Sequence, residues 1–209
     1  MGKIKAVVFD MDGVLIDAKE WHYEALNRAL GLFGHTISRI DHLTTFDGLP
    51  TKKKLEMLSL DRGLPRGLHG MINDLKQVYT TEITHLRCKP TFVHEYALSK
   101  LKGMGYKLAV ASNSIRSTVE LMMEKSNLRH YLDVLVSNQD VTNAKPHPEM
   151  YLAAATRLGL TPVECLVVED NPHGVKAAEA AGCPVLVVRG VEEVHLANVL
   201  SALKKSEAT

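Results

Sequence analysis

Two aspartates, Asp10 and Asp12, stand two residues apart directly behind the apolar run Lys5-Ala6-Val7-Val8-Phe9, and Gly13 follows them. Side chains alternate along a strand, so acids at i and i+2 near its end can face one crevice. A strand that merely stops in a polar turn has the same look, but the apolar run ahead of the pair favours a chemical use. Three more groups follow other apolar runs. Ser112-Asn113-Ser114 comes after Lys107–Ala111. Such residues cap helices well and also bind an anion at a helix start; taken alone, capping is the simpler reading. Lys145 sits among prolines in Lys145-Pro146-His147-Pro148. Prolines at a helix entry stiffen the chain and turn an ordinary solvated lysine into a candidate fixed charge. Glu169-Asp170-Asn171-Pro172 comes after Leu166–Val168. Two adjacent acids repel each other in a dry crevice. A divalent cation relieves that, and a hard one such as Mg²⁺ prefers oxygen ligands. Together these groups supply a nucleophile, a metal site and positive charge, the set that phosphoryl transfer uses.

The elements that must position them read as a parallel α/β sheet. Short apolar runs at Lys5–Phe9, Lys107–Ala111, Val134–Ser137, Leu166–Val168 and Val185–Val188 have the character of buried strands. Helix-like stretches lie between them at Val119–Lys125, Glu149–Leu158 and Val175–Ala181, the last stopping at Gly182. Alternation of strand and helix from about residue 91 gives the fold class: a Rossmann-like parallel sheet core. In such sheets ligands sit outside the carboxyl ends of the strands, where all four motifs fall. The stretch from Asp17 to Lys89 breaks the rhythm. Trp21–Phe33, Lys53–Leu60 and Gly70–Leu86 read as helices, and no strand run is present. The expected organisation is a catalytic core of residues 1–16 and 90–209 and an inserted helical cap domain of residues 17–89. The polar tail from Lys204 is expected to fray.

In order and spacing, Asp10-Met11-Asp12-Gly13-Val14-Leu15, Ser112-Asn113, Lys145-Pro146 and Glu169-Asp170 resemble the four motifs of the haloacid dehalogenase superfamily. The likeness covers essentially the whole chain and looks nearest to the β-phosphoglucomutase-like branch with a small helical cap. It implies roles residue by residue. Asp10 attacks phosphorus and becomes an aspartyl-phosphate. Asp12 protonates the leaving oxygen and then serves as base. Mg²⁺ is held by the Asp10 carboxylate, the backbone carbonyl of Asp12 and Asp170, with Glu169 as a ligand or beside the ligands. Ser112 donates to phosphoryl oxygens, Asn113 lies next to it, and Lys145 neutralises developing charge. Dehalogenases of the superfamily need no metal and lack the second aspartate, so Asp12 and the Glu169-Asp170 pair argue against dehalogenation.

The resemblance also implies that the cap selects the substrate and excludes water on closing. His22 stands where the mutase branch has a histidine contacting the acid/base aspartate; a gating histidine and a partly buried helix histidine are equal readings. Gly48-Leu49-Pro50-Thr51-Lys52 resembles the specificity loop. Lys52-Lys53-Lys54 offers cations for a second anionic group, although charge runs are usually solvated faces. Lys76 falls roughly where mutases place a substrate-facing lysine. The mutase loop usually carries an arginine, and this one carries lysine. The expected activity is therefore a Mg²⁺-dependent phosphatase acting on a small phosphorylated metabolite, a sugar or polyol phosphate, with a hexose-phosphate mutase as the alternative. A signalling receiver also uses an acidic sheet edge, but its accepting aspartate follows a later strand and it has no insert of this length.

Bulk properties narrow the classes further. The chain has 209 residues, 45% hydrophobic and 23% charged, with a formal charge of +1. That total carries no footprint for nucleic acid or an anionic membrane, and no stretch approaches the ~20 apolar residues of a spanning helix. The start lacks a signal-peptide pattern, and Gly2 is not followed by Ser or Thr at position 6, where acylation wants one. Cys88, Cys165 and Cys183 suit neither a disulfide framework nor a zinc site. A cytoplasmic enzyme with a small-molecule partner is expected.

Overall fold

The computed structural model describes residues 3–208, so the glycine at position 2 lies outside the described residues. Five strands form one sheet: β1 (Ala6–Phe9), β2 (Lys107–Ala111), β3 (Val134–Val136), β4 (Cys165–Glu169) and β5 (Val185–Val187). All neighbours pair in parallel, in the order β3-β2-β1-β4-β5. Every residue of β1 and β4 is buried. Strands covered on both faces need continuous apolar sequence, which is why Val7-Val8 and Val167-Val168 do not alternate with polar residues. Val8 lies opposite Ala109 on one side and Val167 on the other, so the ends of β1, β2 and β4 come level.

The chain divides into two compact units, one holding the chain up to Asp17 and again from Lys89, the other Ala18–Cys88. The sheet belongs to the first, with helices α5 (Phe92–Gly103), α6 (Arg116–Lys125), α7 (Glu149–Leu158), α8 (Pro172–Ala181) and α9 (Leu196–Ala208), after the four helices of the other unit. Alanines at 154, 177 and 178 let α7 and α8 lie close against Val8, Ala109 and Val167 in one core. Asn171 caps α8 by accepting from the His173 N–H, and Pro172 occupies its first position. Gly182 ends it in the left-handed conformation, φ 80°.

Within the other unit, all regular elements among the described residues are helical: α1 (Lys19–Gly31), α2 (Arg39–Asp41), α3 (Thr51–Arg62) and α4 (His69–Arg87), with a π-helical turn at His42–Phe46 and a 3-10 turn at Arg66–Leu68. Leu26, Leu30, Phe46, Leu55, Leu58 and Ile72 form its core. That is an independent apolar cluster, as a separate compact unit requires.

One helix went unread in the sequence, and one reading needs correction. Residues 92–103 form α5, which the pattern of short apolar runs did not show; the helix buries Ala97, Leu98 and Leu101 and exposes Phe92 and Val93. The tail does not fray at Lys204: α9 continues to Ala208, because Val199 and Leu203 on one of its faces are buried.

Candidate functional site

The turn behind β1 places the first two acids. After Asp10, the carbonyl of Met11 accepts from the N–H groups of Leu15 and Ile16, and the Gly13 N–H returns to the Ile16 carbonyl at 2.7 Å. Gly13 has φ 90°, a region that side chains disfavour, so this tight reversal requires glycine. Asp10 is buried, and Asp12 is half-buried. Ser114, just past the end of β2, donates its hydroxyl to Asp12 Oδ2 at 3.1 Å.

The loop between β3 and α7 delivers Lys145. Asn113 clasps it through the backbone: the Lys145 N–H donates to Asn113 Oδ1 at 3.1 Å, and Asn113 Nδ2 donates to the Lys145 carbonyl at 3.4 Å. The ammonium itself donates to Asp10 Oδ1 at 2.6 Å, Glu169 Oε1 at 2.7 Å and the Ala111 carbonyl at 2.8 Å. Three protons meet three acceptors, so this lysine is a fixed charge and not a solvated one. Ser112 is buried, and its Oγ accepts from the Ser114 N–H at 3.1 Å; α6 begins later, behind Ile115, so Ser112 does not cap it.

Glu169 is buried at the end of β4. Its Oε2 accepts from the N–H groups of Asp170 at 3.0 Å and Asn171 at 3.1 Å, and its Oε1 accepts from the Tyr151 hydroxyl at 2.6 Å as well as from Lys145. Asp170 beside it is half-buried.

The electrostatics follow from crowding. Burial pushes the Asp10 carboxyl well above its ordinary pKa. Lys145 opposes this, while Glu169, Asp12 and Asp170 add to the upward push. Burial works against the Lys145 ammonium, but Asp10 and Glu169 outweigh it and hold its pKa above the usual lysine value. Burial, then the charges of Glu169 and Asp10, raise the Tyr151 phenol well above its ordinary value, so it remains a proton donor. One ammonium among these carboxylates leaves the crevice short of positive charge. Asp10, Glu169 and Asp170 also bring one carboxylate oxygen each into a cluster within 4.8 Å. An all-oxygen, electron-rich cluster fits a hard divalent cation such as Mg²⁺.

The remaining candidates lie in the helical unit. Lys76 Nζ stands 3.3 Å from His22 Nδ1. That distance is within hydrogen-bond reach. Lys76 is 8% exposed. Gly48 has φ 72° in the turn ahead of α3. Lys52 and Lys53 are exposed, whereas Lys54 is 8% exposed, so Lys54 is the buried member of that run. Sequence reasoning also passed over His42, which is buried, meets the Lys19 carbonyl through Nε2 at 3.1 Å, and has its pKa lowered by burial and then by Lys54.

Two core groups were missed as well. Ser114 was read only as part of a polar cluster, yet it is the one that reaches Asp12. Tyr151 shares a helix face with Met150, Ala154, Ala155 and Leu158. A phenol on such an apolar face must find an acceptor when buried, and that is the signal by which it could have been found.

The chain is similar to known proteins over most of its length. Residues 7–188 match the family model described as haloacid dehalogenase-like hydrolase. A phosphorylated carbohydrates phosphatase of Thermotoga maritima is 31% identical over 179 residues, covering 86% of this chain and 82% of the relative. A phosphoglycolate phosphatase of Salmonella typhi is 28% identical, covering 87% and 79%. The crystal structure of β-phosphoglucomutase from Clostridium difficile superposes with a TM-score of 0.84 at 20% identity, covering 99% of this chain and 100% of that one, a likeness of fold. The match across most of the chain shows that this protein belongs to the haloacid dehalogenase-like hydrolase family.

Proposed function

We propose that this hydrolase is a Mg²⁺-dependent phosphatase that cleaves a small sugar or polyol phosphate through an aspartyl-phosphate on Asp10. The observation that carries the reading is Lys145 Nζ held 2.6 Å from Asp10 Oδ1 while Ser114 holds Asp12 from the next strand end. With Oδ1 bound to the ammonium, attack falls to Asp10 Oδ2. The bond from phosphorus to the ester oxygen breaks as the new bond forms, and Asp12 gives that oxygen its proton. Asp12 then takes a proton from water, whose oxygen displaces Asp10 from phosphorus and releases phosphate. Ser112 donates to the phosphoryl oxygens, and Lys145 offsets charge near the nucleophile. The carboxylates of Asp10 and Asp170 and the backbone carbonyl of Asp12 would hold Mg²⁺, which would supply positive charge to the phosphoryl oxygens.

The Thermotoga maritima relative's name supports a phosphorylated carbohydrate as substrate. His22, Gly48, Lys52 and Lys76 are assigned to substrate selection in the helical unit, which acts as the cap. The cytoplasm is the compartment proposed. Among the described residues no helix is long and apolar enough to cross a membrane. The test is phosphate release from a panel of sugar and polyol phosphates, with and without chelator. A product isomer without free phosphate would instead favour a mutase.

A further inference from the structure

Tyr151 touches Lys145 in two ways. Its ring lies under the ammonium, 4.7 Å from Nζ to the ring centroid, and its hydroxyl reaches the same ammonium through Glu169 Oε1. The side chains of Tyr151 and Glu169 are each 1% exposed, so neither exchanges these bonds for water. A carboxylate offers about four acceptor positions. Those of Glu169 are taken by Tyr151, Lys145 and the N–H groups of Asp170 and Asn171. Helix α8 locks the arrangement. A Cβ at Gly174 would fall 1.6 Å from Glu169 Oε1 and 2.0 Å from its carboxyl carbon, so the carboxylate occupies the space that a side chain there would need.

We infer that Tyr151 is a positioning residue for the phosphoryl-transfer step, and that Glu169 is committed to holding Lys145 against Asp10 and not to binding the metal. The inference rests on the phosphatase reading above. The chain of contacts runs Tyr151–Glu169–Lys145–Asp10, with each link between 2.6 and 2.7 Å. Removing the phenol proton leaves Glu169 Oε1 with Lys145 alone. The ammonium is then drawn toward Glu169 and away from the nucleophile. Glu169 lies within the acidic cluster, but its acceptor positions are already filled, and giving one to a cation would leave a donor unpaired.

The test is Tyr151→Phe, which keeps the ring and removes only the hydroxyl. For any substrate whose phosphate the wild-type enzyme releases, kcat falls about tenfold, while KM and the half-activating Mg²⁺ concentration stay within about twofold. In metal-free protein carrying isotopically labelled lysine, the slowly exchanging Lys145 ammonium signal shifts in the variant. Replacing Tyr151 with a fluorinated tyrosine, which strengthens the same donor without changing its shape, moves that signal the opposite way. An unchanged kcat with an unmoved ammonium signal reduces Tyr151 to a core residue and overturns the inference. So does a change of more than about fivefold in half-activating Mg²⁺, which puts Glu169 on the metal. If the wild-type enzyme releases no phosphate from any substrate, the phosphatase reading fails, and the ammonium signal still decides the role of Tyr151.

Discussion

The ammonium of Lys145 stands 2.6 Å from Asp10 Oδ1, and the same nitrogen lies 2.7 Å from Glu169, so one cation separates two buried carboxylates. Replacing Lys145 by methionine keeps the bulk and leaves those carboxylates facing each other. Breaking a buried pair in this way costs about 3–5 kcal/mol. Lys145→Met is expected to lose that much stability in urea titration without metal, and to lose turnover. Added Mg²⁺ should restore part of the stability and none of the turnover.

Ser114 offers a milder perturbation. Its hydroxyl bonds Asp12 Oδ2, and Ser114→Ala removes that bond alone from the aspartate. A hydrogen bond to a charged group is worth about 1.5–3 kcal/mol, reduced where water can substitute. The expected result is a kcat lowered about tenfold with KM nearly unchanged, read by steady-state phosphate release. Asp12→Ala goes further: with acetyl phosphate, whose leaving group needs no acid, phospho-enzyme should accumulate in rapid quench.

Asp140 provides a pH test away from the site. Burial pushes its carboxyl up, but bonds from the Ser137 hydroxyl and N–H, from Arg157 and from Arg116 outweigh it and hold the pKa far below the ordinary value of 3.8. A depressed carboxyl stabilises the fold fully above its unfolded value and loses that contribution as pH falls toward the folded one. Asp140→Asn should therefore lower the urea midpoint at neutral pH. The gap from wild type should close as pH drops below about 4. A gap that stays constant down to the acid limit would show that Asp140 acts through shape alone.

Removing the cation should silence the enzyme. Excess chelator is expected to abolish phosphate release and Mg²⁺ to restore it, because the carboxylate oxygens of Asp10 and Asp170 stand together in the acidic cluster and suit a hard cation. Asp170→Ala should raise the Mg²⁺ requirement steeply in the same assay.

Much of this was legible in the sequence because strand ends are marked twice, by an apolar run and by the polar group that follows it. Val7-Val8-Phe9 announces β1, and Asp10 sits at its end. What escaped detection depends on tertiary distance. Nothing local ties Ser114 to Asp12 across 102 residues, or Tyr151 to Glu169, since the sheet order alone makes them neighbours. Lys52 and Lys54 look alike in a run of three lysines. Only the turn that starts α3 decides that Lys54 is the buried one. Helix α5 was missed because its buried Ala97, Leu98 and Leu101 are mixed with exposed Phe92, Val93 and Tyr96, which blurs the periodicity.

The account turns on Asp10 as the group that receives phosphorus, and mass spectrometry of acid-quenched enzyme tests this most directly. Asp12→Ala mixed with acetyl phosphate, whose leaving carboxylate needs no proton from Asp12, should carry one phosphoryl group on the peptide containing Asp10, and Asp10→Asn should carry none and release no phosphate. Phosphate release by Asp10→Asn at a rate near wild type would contradict the account.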